Sequence, residues 1–434
     1  MSAAGVLDCG RDARARRRGP TISTRIERET MPTPDTAPRI DPASPPDRLL
    51  MGPGPSDVHP RVLRAMSAPL IGHLDPAFLR LMNEVQEMLR YTFRTENRWT
   101  IPVSGTGSAA MEAAVANLVE PDDVVLVPAN GYFGDRMASM AARAGGVVVR
   151  VEAPWGRPLD PDDVRAAFER HRPRVFGFVH AETSTGVLQP EVPALTALAR
   201  EHDALVIADT VTSLGGVELR VDAWDIDAAY SGDQKCLSCP PGASPLTLND
   251  RAMEKAGGRA TPVRSWYLDV SLLRSYWGEE RSYHHTAPIT NIYGLHEALR
   301  LVCEEGIEAR WARHRRVAGA LKAGLEAAGL SWLPDDACWL PSLNAVRVPE
   351  GVDAKAAIRW LLAERGIEIS GGFGPLAGRI FRIGCMGESC RASSVLALIA
   401  ALAEALGTQG VRIDADAGLA AARAALESEG GAGA

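Results

Sequence analysis

The sequence predicts an α/β fold built around a mainly parallel sheet. Short apolar runs alternate with helical patterns between residues 124 and 230, at a spacing typical of βαβ units. A glycine-rich turn, Ser104-Gly-Thr-Gly-Ser108, opens a further helical pattern. The chain has 434 residues, 46% of them hydrophobic, which is enough for a large buried core and suggests two or three domains.

The elements can be read in order from about Leu49. Helical spacing predicts helices over Pro76–Phe93 and Ala109–Leu118. The predicted strands of the sheet are Val124–Val127, Val147–Val151, Val175–His180, Leu205–Asp209 and Ile226–Tyr230. The helices expected between them are Asp135–Ala144, Pro161–Arg170 and Val192–His202.

A long helical pair, Tyr293–Glu305 and Ile307–Ala328, leads into a second region. The strands predicted there are Leu343–Val348, Ile367–Ile369 and Ile380–Ile383. The helices predicted there are Ala354–Glu364, Ala392–Leu406 and, near the end of the chain, Ala415–Ser428.

These patterns divide the chain into four parts. Residues 1–46 are expected to be a disordered extension, because they combine an Arg-rich start with a Pro-rich run, and translation could instead begin at Met31. Residues 47–295 form an N-terminal segment and a large domain, residues 296–410 a small α+β domain, and residues 411–434 a helix and tail.

Composition excludes several classes of partner. The net charge of −7 provides no positive field for nucleic acid or anionic membrane, and no apolar run approaches the roughly 18 residues of a spanning helix. Seven scattered cysteines suit a reducing cytosol, so a cytoplasmic location is expected. No metal site is expected: Cys236 and Cys239 lack a second pair, and His284 and His285, if in a strand, would point to opposite faces.

Lys235, in Ser231-Gly-Asp-Gln-Lys235, is the candidate covalent anchor of a cofactor. Asp209 ends an apolar run, which places it at the carboxyl end of a strand, where open α/β sheets bind ligands. An acid that holds a protonated pyridine nitrogen and a lysine that forms a Schiff base are what pyridoxal phosphate requires. Taken singly, a surface lysine and a helix-capping aspartate remain the simpler alternatives.

The turn Ser104–Ser108 is the candidate phosphate site. Its glycines allow backbone N–H groups to approach an anion at a helix N-terminus. The spacing fits neither a Walker loop nor a dinucleotide fingerprint, which favours a small phosphorylated cofactor. A plain strand–helix turn is the alternative.

Further candidates follow along the chain. Phe133 could stack on a flat ring, Thr183 could bind a ring hydroxyl, and Arg382 could bind a carboxylate bidentately. The hydroxyl-rich segment Tyr283–Thr286 could add to phosphate binding. The alternatives are that Phe133 is a core aromatic, that Thr183 belongs to a loop hydrogen-bond network, and that Arg382 forms a surface ion pair.

The order of motifs resembles the class V pyridoxal-phosphate-dependent aminotransferases, in particular the alanine–glyoxylate / serine–glyoxylate (serine–pyruvate) group. The resemblance covers Leu49 to Leu406. The motifs that carry it are Leu50-Met-Gly-Pro-Gly-Pro55, Ser104-Gly-Thr-Gly-Ser108, Asn130-Gly-Tyr-Phe-Gly134, Ser184-Thr-Gly-Val-Leu-Gln-Pro190, Asp209-Thr-Val-Thr-Ser-Leu-Gly-Gly216, Ser231-Gly-Asp-Gln-Lys235, Pro240-Pro-Gly242, Tyr283-His-His-Thr286 and Arg382-Ile-Gly384.

The resemblance implies the fold of type I pyridoxal-phosphate transferases, with a seven-stranded sheet, and a homodimer with shared active sites. It implies that Lys235 and Asp209 are catalytic and that Arg382 and Gly54 bind substrate. The cofactor-binding residues that it implies are Thr106, Gly107, Ser108, Phe133, Thr183, Asp209, Ser213, Gln234 and Lys235, with Tyr283 and Thr286 reaching the neighbouring subunit's cofactor. Phe133 and Ser108 depart from a tryptophan and a histidine that are common in the animal enzymes, which weakens any statement about the donor.

The activity implied is a ping-pong transfer of an amino group from L-alanine or L-serine to glyoxylate or pyruvate. Related aminotransferases acting on 2-aminoethylphosphonate or pyridoxamine are alternatives. A cysteine desulfurase is disfavoured, because Ser370–Gly378 holds no cysteine. A non-catalytic, cofactor-binding regulator is a remote alternative, since residues 1–46 lack a helix-turn-helix pattern.

Overall fold

The structure is a computed structural model that describes residues 41–428. The chain from Asp47 onward forms one compact unit, which is described below. Residues 41–46 are exposed and contain no helix or strand, whereas residues 1–40, on which most of the predicted disordered extension falls, lie outside the described residues.

The helices and strands are numbered along the chain. The α-helices are α1 (Pro60–Met66), α2 (Pro76–Phe93), α3 (Gly107–Leu118), α4 (Tyr132–Ala144), α5 (Pro161–His171), α6 (Val192–Glu201), α7 (Asp250–Gly257), α8 (Val270–Trp277), α9 (Ile289–Glu305), α10 (Ile307–Ala327), α11 (Ala354–Arg365), α12 (Ala392–Gly407) and α13 (Ala415–Ser428). The strands are β1 (Leu49–Leu50), β2 (Trp99–Gly105), β3 (Val124–Ala129), β4 (Val147–Glu152), β5 (Val175–Val179), β6 (Ala181–Glu182), β7 (Val187–Leu188), β8 (Leu205–Asp209), β9 (Ala228–Tyr230), β10 (Gly242–Leu248), β11 (Leu343–Arg347), β12 (Ile367–Glu368), β13 (Ser370–Gly371) and β14 (Ile380–Gly384).

A seven-stranded sheet in the order β2-β10-β9-β8-β5-β3-β4 forms the centre of the molecule. All neighbouring pairs are parallel except those of β10, which runs antiparallel to β2 and to β9. Consecutive residues of β5 point to opposite faces of the sheet, and each face has its own hydrophobic cluster: Phe176 packs in one cluster and Val175 in the other. Both faces are therefore covered, which explains why the strands are continuous apolar runs and confirms the α/β prediction.

Two strands at one side of this sheet were not predicted, and proline explains the omission. Pro102 in β2 stands opposite Pro245 in β10. Proline lacks the N–H that a central strand needs, so a run containing it is a poor strand candidate. Pro102 lies in β2, the edge strand of the sheet. Pro245 lies just outside the paired part of β10 and β9, which begins at Leu246. There the Pro245 carbonyl accepts a hydrogen bond from Ser231 N at 2.8 Å.

The second region has its own antiparallel sheet, β11-β14-β13, and a separate hydrophobic cluster shared with α10, α11, α12 and α13. β1 and β12 form a separate two-stranded parallel sheet, in which Leu49 lies opposite Ile367. The predicted strand Ile367–Ile369 is shorter in the structure, since β12 ends at Glu368. The domain boundaries near residues 295 and 410 stay predictions.

Among residues 41–428, no helix is both long and apolar enough to cross a membrane.

Candidate active site

The carboxyl edge of the central sheet holds a buried carboxylate. Asp209 ends β8, beside Val179 of β5 and Tyr230 of β9. Its oxygens accept hydrogen bonds from Val211 N and from the Tyr230 hydroxyl, both at 2.9 Å. Burial raises the pKa of Asp209 to about 6, although these hydrogen bonds and the charge of Lys235 oppose the shift.

A cation that faces a carboxylate lowers its pKa and would oppose the effect of burial on Asp209. Among the groups of the chain itself, desolvation of a carboxyl that is 2% exposed outweighs the positive charges nearby. A cationic partner would therefore stabilise the ionised form of Asp209.

Lys235 is buried close to this carboxylate. Its side chain is packed against Gly54, whose φ of +108° and missing Cβ leave room for the lysine Cδ. The Lys235 ammonium donates a hydrogen bond to the Pro53 carbonyl. Burial lowers the pKa of Lys235 to about 8, and the positive charge of Arg382 adds to the shift.

The predicted phosphate turn opens α3, as expected. Thr106 is the N-cap residue and makes no capping hydrogen bond through its side chain. Gly107 lies against the lysine segment, because a Cβ on it would be 3.4 Å from Gly232 Cα. Ser108 Oγ accepts a hydrogen bond from Arg136 at 3.0 Å. A helix N-terminus with uncapped N–H groups therefore faces the loop that carries Lys235.

Phe133 lies in the first turn of α4 and is flanked by two residues that sequence reasoning missed. The guanidinium of Arg136 lies 4.9 Å from the centre of the Phe133 ring. The Glu182 carboxylate accepts hydrogen bonds from Phe133 N at 3.1 Å and Gly134 N at 3.4 Å. Arg136 follows Phe133 by three residues, a helical spacing that could have indicated the pair, whereas no local signal joins Glu182 to Phe133.

Glu182 is buried and holds two chain segments together. Besides the α4 N–H groups, it accepts hydrogen bonds from the backbone N of Ser184 at 2.9 Å and from its hydroxyl at 2.6 Å. Burial, with a smaller contribution from the charge of Asp209, raises the pKa of Glu182 to about 7, although the hydrogen bonds from Ser184 oppose the shift.

Arg382, on β14, is a buried cation. Its Nε donates to Gly371 O at 2.7 Å and its Nη1 to Thr183 O at 3.4 Å. No carboxylate of the described residues lies within 4.0 Å of it. Burial lowers the pKa of Arg382 to about 10, so its guanidinium is short of a negative partner.

Three predicted hydroxyl or amide residues are placed around Asp209 and Lys235. The Thr183 hydroxyl hydrogen-bonds that of Thr212. Ser213 Oγ and Gln234 Oε1 are buried and have no hydrogen-bond partner among the described residues. Ser213 follows Asp209 by four residues and Gln234 directly precedes Lys235, so these unsatisfied atoms are available to a polar ligand.

Tyr283 and Thr286 are not brought to this group within the chain. Both are exposed, and neither makes a side-chain hydrogen bond to the described site residues. The rings of His284 and His285 are in contact, with their Nδ1 atoms 2.8 Å apart. This segment is a loop, so the premise that these histidines point to opposite faces of a strand is wrong.

The donor set fits pyridoxal phosphate. The chain supplies a buried lysine, a buried carboxyl, an aromatic side chain and an uncapped helix N-terminus, together with the unsatisfied Ser213 and Gln234 atoms. These are the groups needed to bind an aldehyde, a ring nitrogen, a ring face and a phosphate.

Comparisons with known proteins agree with this chemistry. A family model described as aminotransferase class-V matches residues 50–401. The (S)-ureidoglycine–glyoxylate transaminase of Bacillus subtilis (strain 168) is 44% identical over 403 residues, 89% of this chain and 97% of that protein. The crystal structure of an alanine–glyoxylate aminotransferase from Nostoc sp. is 52% identical with a TM-score of 0.84, covering 85% of this chain and 97% of that one. A pyridoxamine–pyruvate aminotransferase from Mesorhizobium loti is 32% identical with a TM-score of 0.84, covering 88% and 98%.

Proposed function

The chain belongs to the class V family of aminotransferases, and from that premise we propose that it moves an amino group from L-alanine or L-serine to glyoxylate or pyruvate in two half-reactions. Enzymes of this family depend on pyridoxal phosphate. The observation that carries the substrate proposal is Arg382, a buried cation without a carboxylate partner among the described residues. Such a group suits the α-carboxylate that amino and keto acids share.

Pyridoxal phosphate, when bound, supplies an aldehyde carbon that takes up the amino group and an electron-poor ring that stabilises negative charge at the substrate α-carbon. We propose that Asp209 holds the ring nitrogen in its protonated form. Phe133 would cover one ring face, and the N–H groups at Thr106 and Gly107, with Ser108 and Gln234, would bind the phosphate.

Lys235 is proposed to move the proton at the substrate α-carbon. An amine with a pKa of about 8 is neutral in roughly one molecule in ten at pH 7, against fewer than one in a thousand for an unperturbed lysine. Burial and the charge of Arg382 therefore prepare Lys235 to act as a general base. Gly54 leaves the lysine side chain the space that it occupies.

The test is the visible absorbance of the purified protein before and after L-alanine is added without a keto acid. Loss of the band of the lysine-bound cofactor, followed by its return with glyoxylate, would support both half-reactions. A band that persists with alanine and with serine would contradict the donor assignment. The Lys235→Ala variant is the control: it should bind the cofactor without forming the band and lose turnover by orders of magnitude.

(S)-Ureidoglycine is a second candidate donor, favoured by the 44% identity with the Bacillus subtilis transaminase over 89% of this chain. 2-Aminoethylphosphonate and pyridoxamine are tested in the same way. Glyoxylate is the proposed acceptor whether the donor is (S)-ureidoglycine, L-alanine or L-serine.

We further propose a cytoplasmic homodimer in which Tyr283 and Thr286 complete the partner's cofactor site. Their exposure supports this, as does the absence of a side-chain hydrogen bond from either residue to the described residues. Scattered cysteines, six of them free within residues 41–428, suit a reducing compartment.

A further inference from the structure

Two partly exposed aromatic rings form a chain of contacts that begins at the buried Arg382. The guanidinium carbon of Arg382 is 4.0 Å from the centre of the Phe373 ring. The Phe373 ring in turn lies 5.0 Å from the ring of Tyr132. Phe373 is 38% exposed and Tyr132 40%, whereas Arg382 is only 3% exposed. We name this pair, Tyr132 and Phe373, the aromatic lid.

The contacts of Arg382 leave one direction open to an anion. Nε and Nη1 donate to the carbonyls of Gly371 and Thr183, and Phe373 covers a face of the guanidinium. Carboxylates bind guanidinium in its plane, through parallel N–H groups. By stacking on the face, Phe373 leaves the in-plane N–H groups that do not bond Gly371 and Thr183 available to a carboxylate.

The loop that carries Phe373 is a tight turn that requires glycine at two positions. A Cβ on Gly372 would lie 2.2 Å from the Leu376 carbonyl oxygen, and Gly374 has a φ of +46° and packs against Trp155. Leu376 N donates to Phe373 O at 2.9 Å. This glycine-dependent turn holds the ring in place.

Tyr132 is fixed from the other side. Its backbone N donates to Ser184 Oγ at 2.9 Å, and the guanidinium of Arg136 lies 5.2 Å from its ring centre. The two rings thus come from segments far apart in sequence, each with its own support. Together they form a partly exposed aromatic surface next to Arg382.

We propose that the aromatic lid determines donor specificity: Phe373 positions the carboxylate-binding arginine, and the two rings restrict donors to those with small side chains. This inference rests on the proposed function, because it assumes that Arg382 binds the substrate α-carboxylate. It adds Phe373 and Tyr132 as residues that select among donors.

The experiment compares Phe373→Ala with Phe373→Leu, which keeps bulk but removes the π face. Transamination with glyoxylate is measured for L-alanine and for L-phenylalanine, and the Kd of the unreactive acid propionate is measured by calorimetry on the cofactor-loaded enzyme. Both variants should bind propionate about 3- to 30-fold more weakly, the range of a cation–π contact. For alanine, KM should rise by a similar factor while kcat changes little.

Selectivity should separate the two variants. Phe373→Ala should raise the ratio of kcat/KM for phenylalanine to that for alanine by about tenfold, because the lid is opened. Phe373→Leu should leave that ratio near the wild-type value. If Phe373→Ala does not fold, as judged by circular dichroism, the same opening is tested with Tyr132→Ala, which must raise the ratio if the lid acts as proposed.

The same measurements distinguish an error in the proposed function from an error in the role of the aromatic lid. Wild-type enzyme that neither binds propionate nor uses a small amino acid would overturn the proposed function itself. Wild-type enzyme that does both, with propionate affinity and donor ratio unchanged in Phe373→Ala, would overturn the lid and leave the proposed function standing.

Discussion

Burial shifts the pKa values of three residues at the site in the direction that favours the neutral form of each side chain. Asp209 reaches about 6, Glu182 about 7 and Lys235 about 8. All three lie within one desolvated region, where a bound cation or anion changes charge states strongly. Two predictions at the scale of single residues follow from these shifts.

The first concerns Asp209 and cofactor affinity. In the Lys235→Ala variant, which cannot bond the aldehyde, the Kd for pyridoxal phosphate should rise about tenfold per pH unit below pH 6, because a protonated Asp209 no longer pairs with the ring-nitrogen cation. Tyr230, which donates a hydrogen bond to Asp209, stays neutral in this range because burial raises its pKa. Fluorescence titration measures the Kd.

The double variant Lys235→Ala/Asp209→Asn is the control for this measurement. It should lose the pH dependence that comes from Asp209 and keep what comes from the ligand phosphate and from Glu182, whose pKa of about 7 lies close to this range. Equal pH slopes in the single and double variants would show that Asp209 does not control binding.

The second residue-scale prediction concerns Glu182 and stability. Its folded pKa of about 7 exceeds the unfolded value near 4.5, so the folded state holds a proton that the unfolded state releases between these pH values. The stability contributed by Glu182 therefore falls as pH rises from 4.5 to 7. Relative to wild type, Glu182→Gln should gain about 3 kcal/mol in free energy of unfolding over that range.

Denaturant titrations of the cofactor-free protein at several pH values measure this difference. Loss of the hydrogen bonds to Ser184 would shift the variant by the same amount at every pH, so the slope is diagnostic. A stability difference that does not vary with pH would contradict the assignment.

At the scale of elements, the end of β14 positions the segment after β1. Gly384 N donates to Met51 O at 2.7 Å, and a Cβ on Gly384 would lie 2.0 Å from Gly52 O. Two residues further on, the Pro53 carbonyl accepts the hydrogen bond from Lys235. The strand that carries Arg382 is thus linked through backbone contact to the segment that packs on the lysine.

Gly384→Ala should therefore lower the free energy of unfolding by about 1–3 kcal/mol, because the new methyl group displaces backbone. Transamination should fall with it, since the Met51–Gly54 segment moves. The matched control is Gly319→Ala within α10, where a Cβ meets nothing within 4 Å. That change should stabilise the protein by about 0.5–1 kcal/mol.

Thermal or urea unfolding of both variants checks the pair. Equal stabilities of Gly384→Ala and wild type would mean that the two backbones separate without cost. A destabilised Gly319→Ala would remove the basis of the comparison.

At the scale of the whole molecule, the proposed dimer has a direct test. One variant, Lys235→Ala, lacks the lysine; the other, Tyr283→Ala/Thr286→Ala, lacks the hydroxyl pair. If the pair acts across the interface, a mixed dimer has one site with both intact. If the pair acts within its own chain, both sites of the mixed dimer are defective.

Each variant is first shown to have low turnover alone, the second at limiting pyridoxal phosphate. Subunits are then exchanged under mild denaturant, and activity is measured after refolding. Recovery of up to about half of the wild-type activity per mixed dimer supports shared sites, because one site in two is complete. No recovery, with mixed dimers confirmed by tagged purification, would place the pair in its own subunit's site.

Local patterns along the chain are enough to predict many elements of this fold. Asp75 as N-cap with Pro76 after it predicts the start of α2, and the structure has the predicted bounds, Pro76–Phe93. The uninterrupted apolar run of β8 likewise predicts Leu205–Asp209 and puts Asp209 at the sheet's carboxyl edge. Proline hid β2 and β10, because their pairing depends on neighbours that a local pattern does not contain.

Strand patterns and the order of short motifs are local properties, so they were enough to give the α/β class, the family and its cofactor. They also predict Lys235 and Asp209 as the pair that serves this cofactor. Which residues surround that pair depends on how distant segments meet in the folded chain. Glu182 meets Phe133 across 49 positions of chain, and Phe373 covers Arg382 through a turn held by glycines. The raised pKa of Asp209 belongs to this second class, since desolvation arises only when distant segments exclude water from one place.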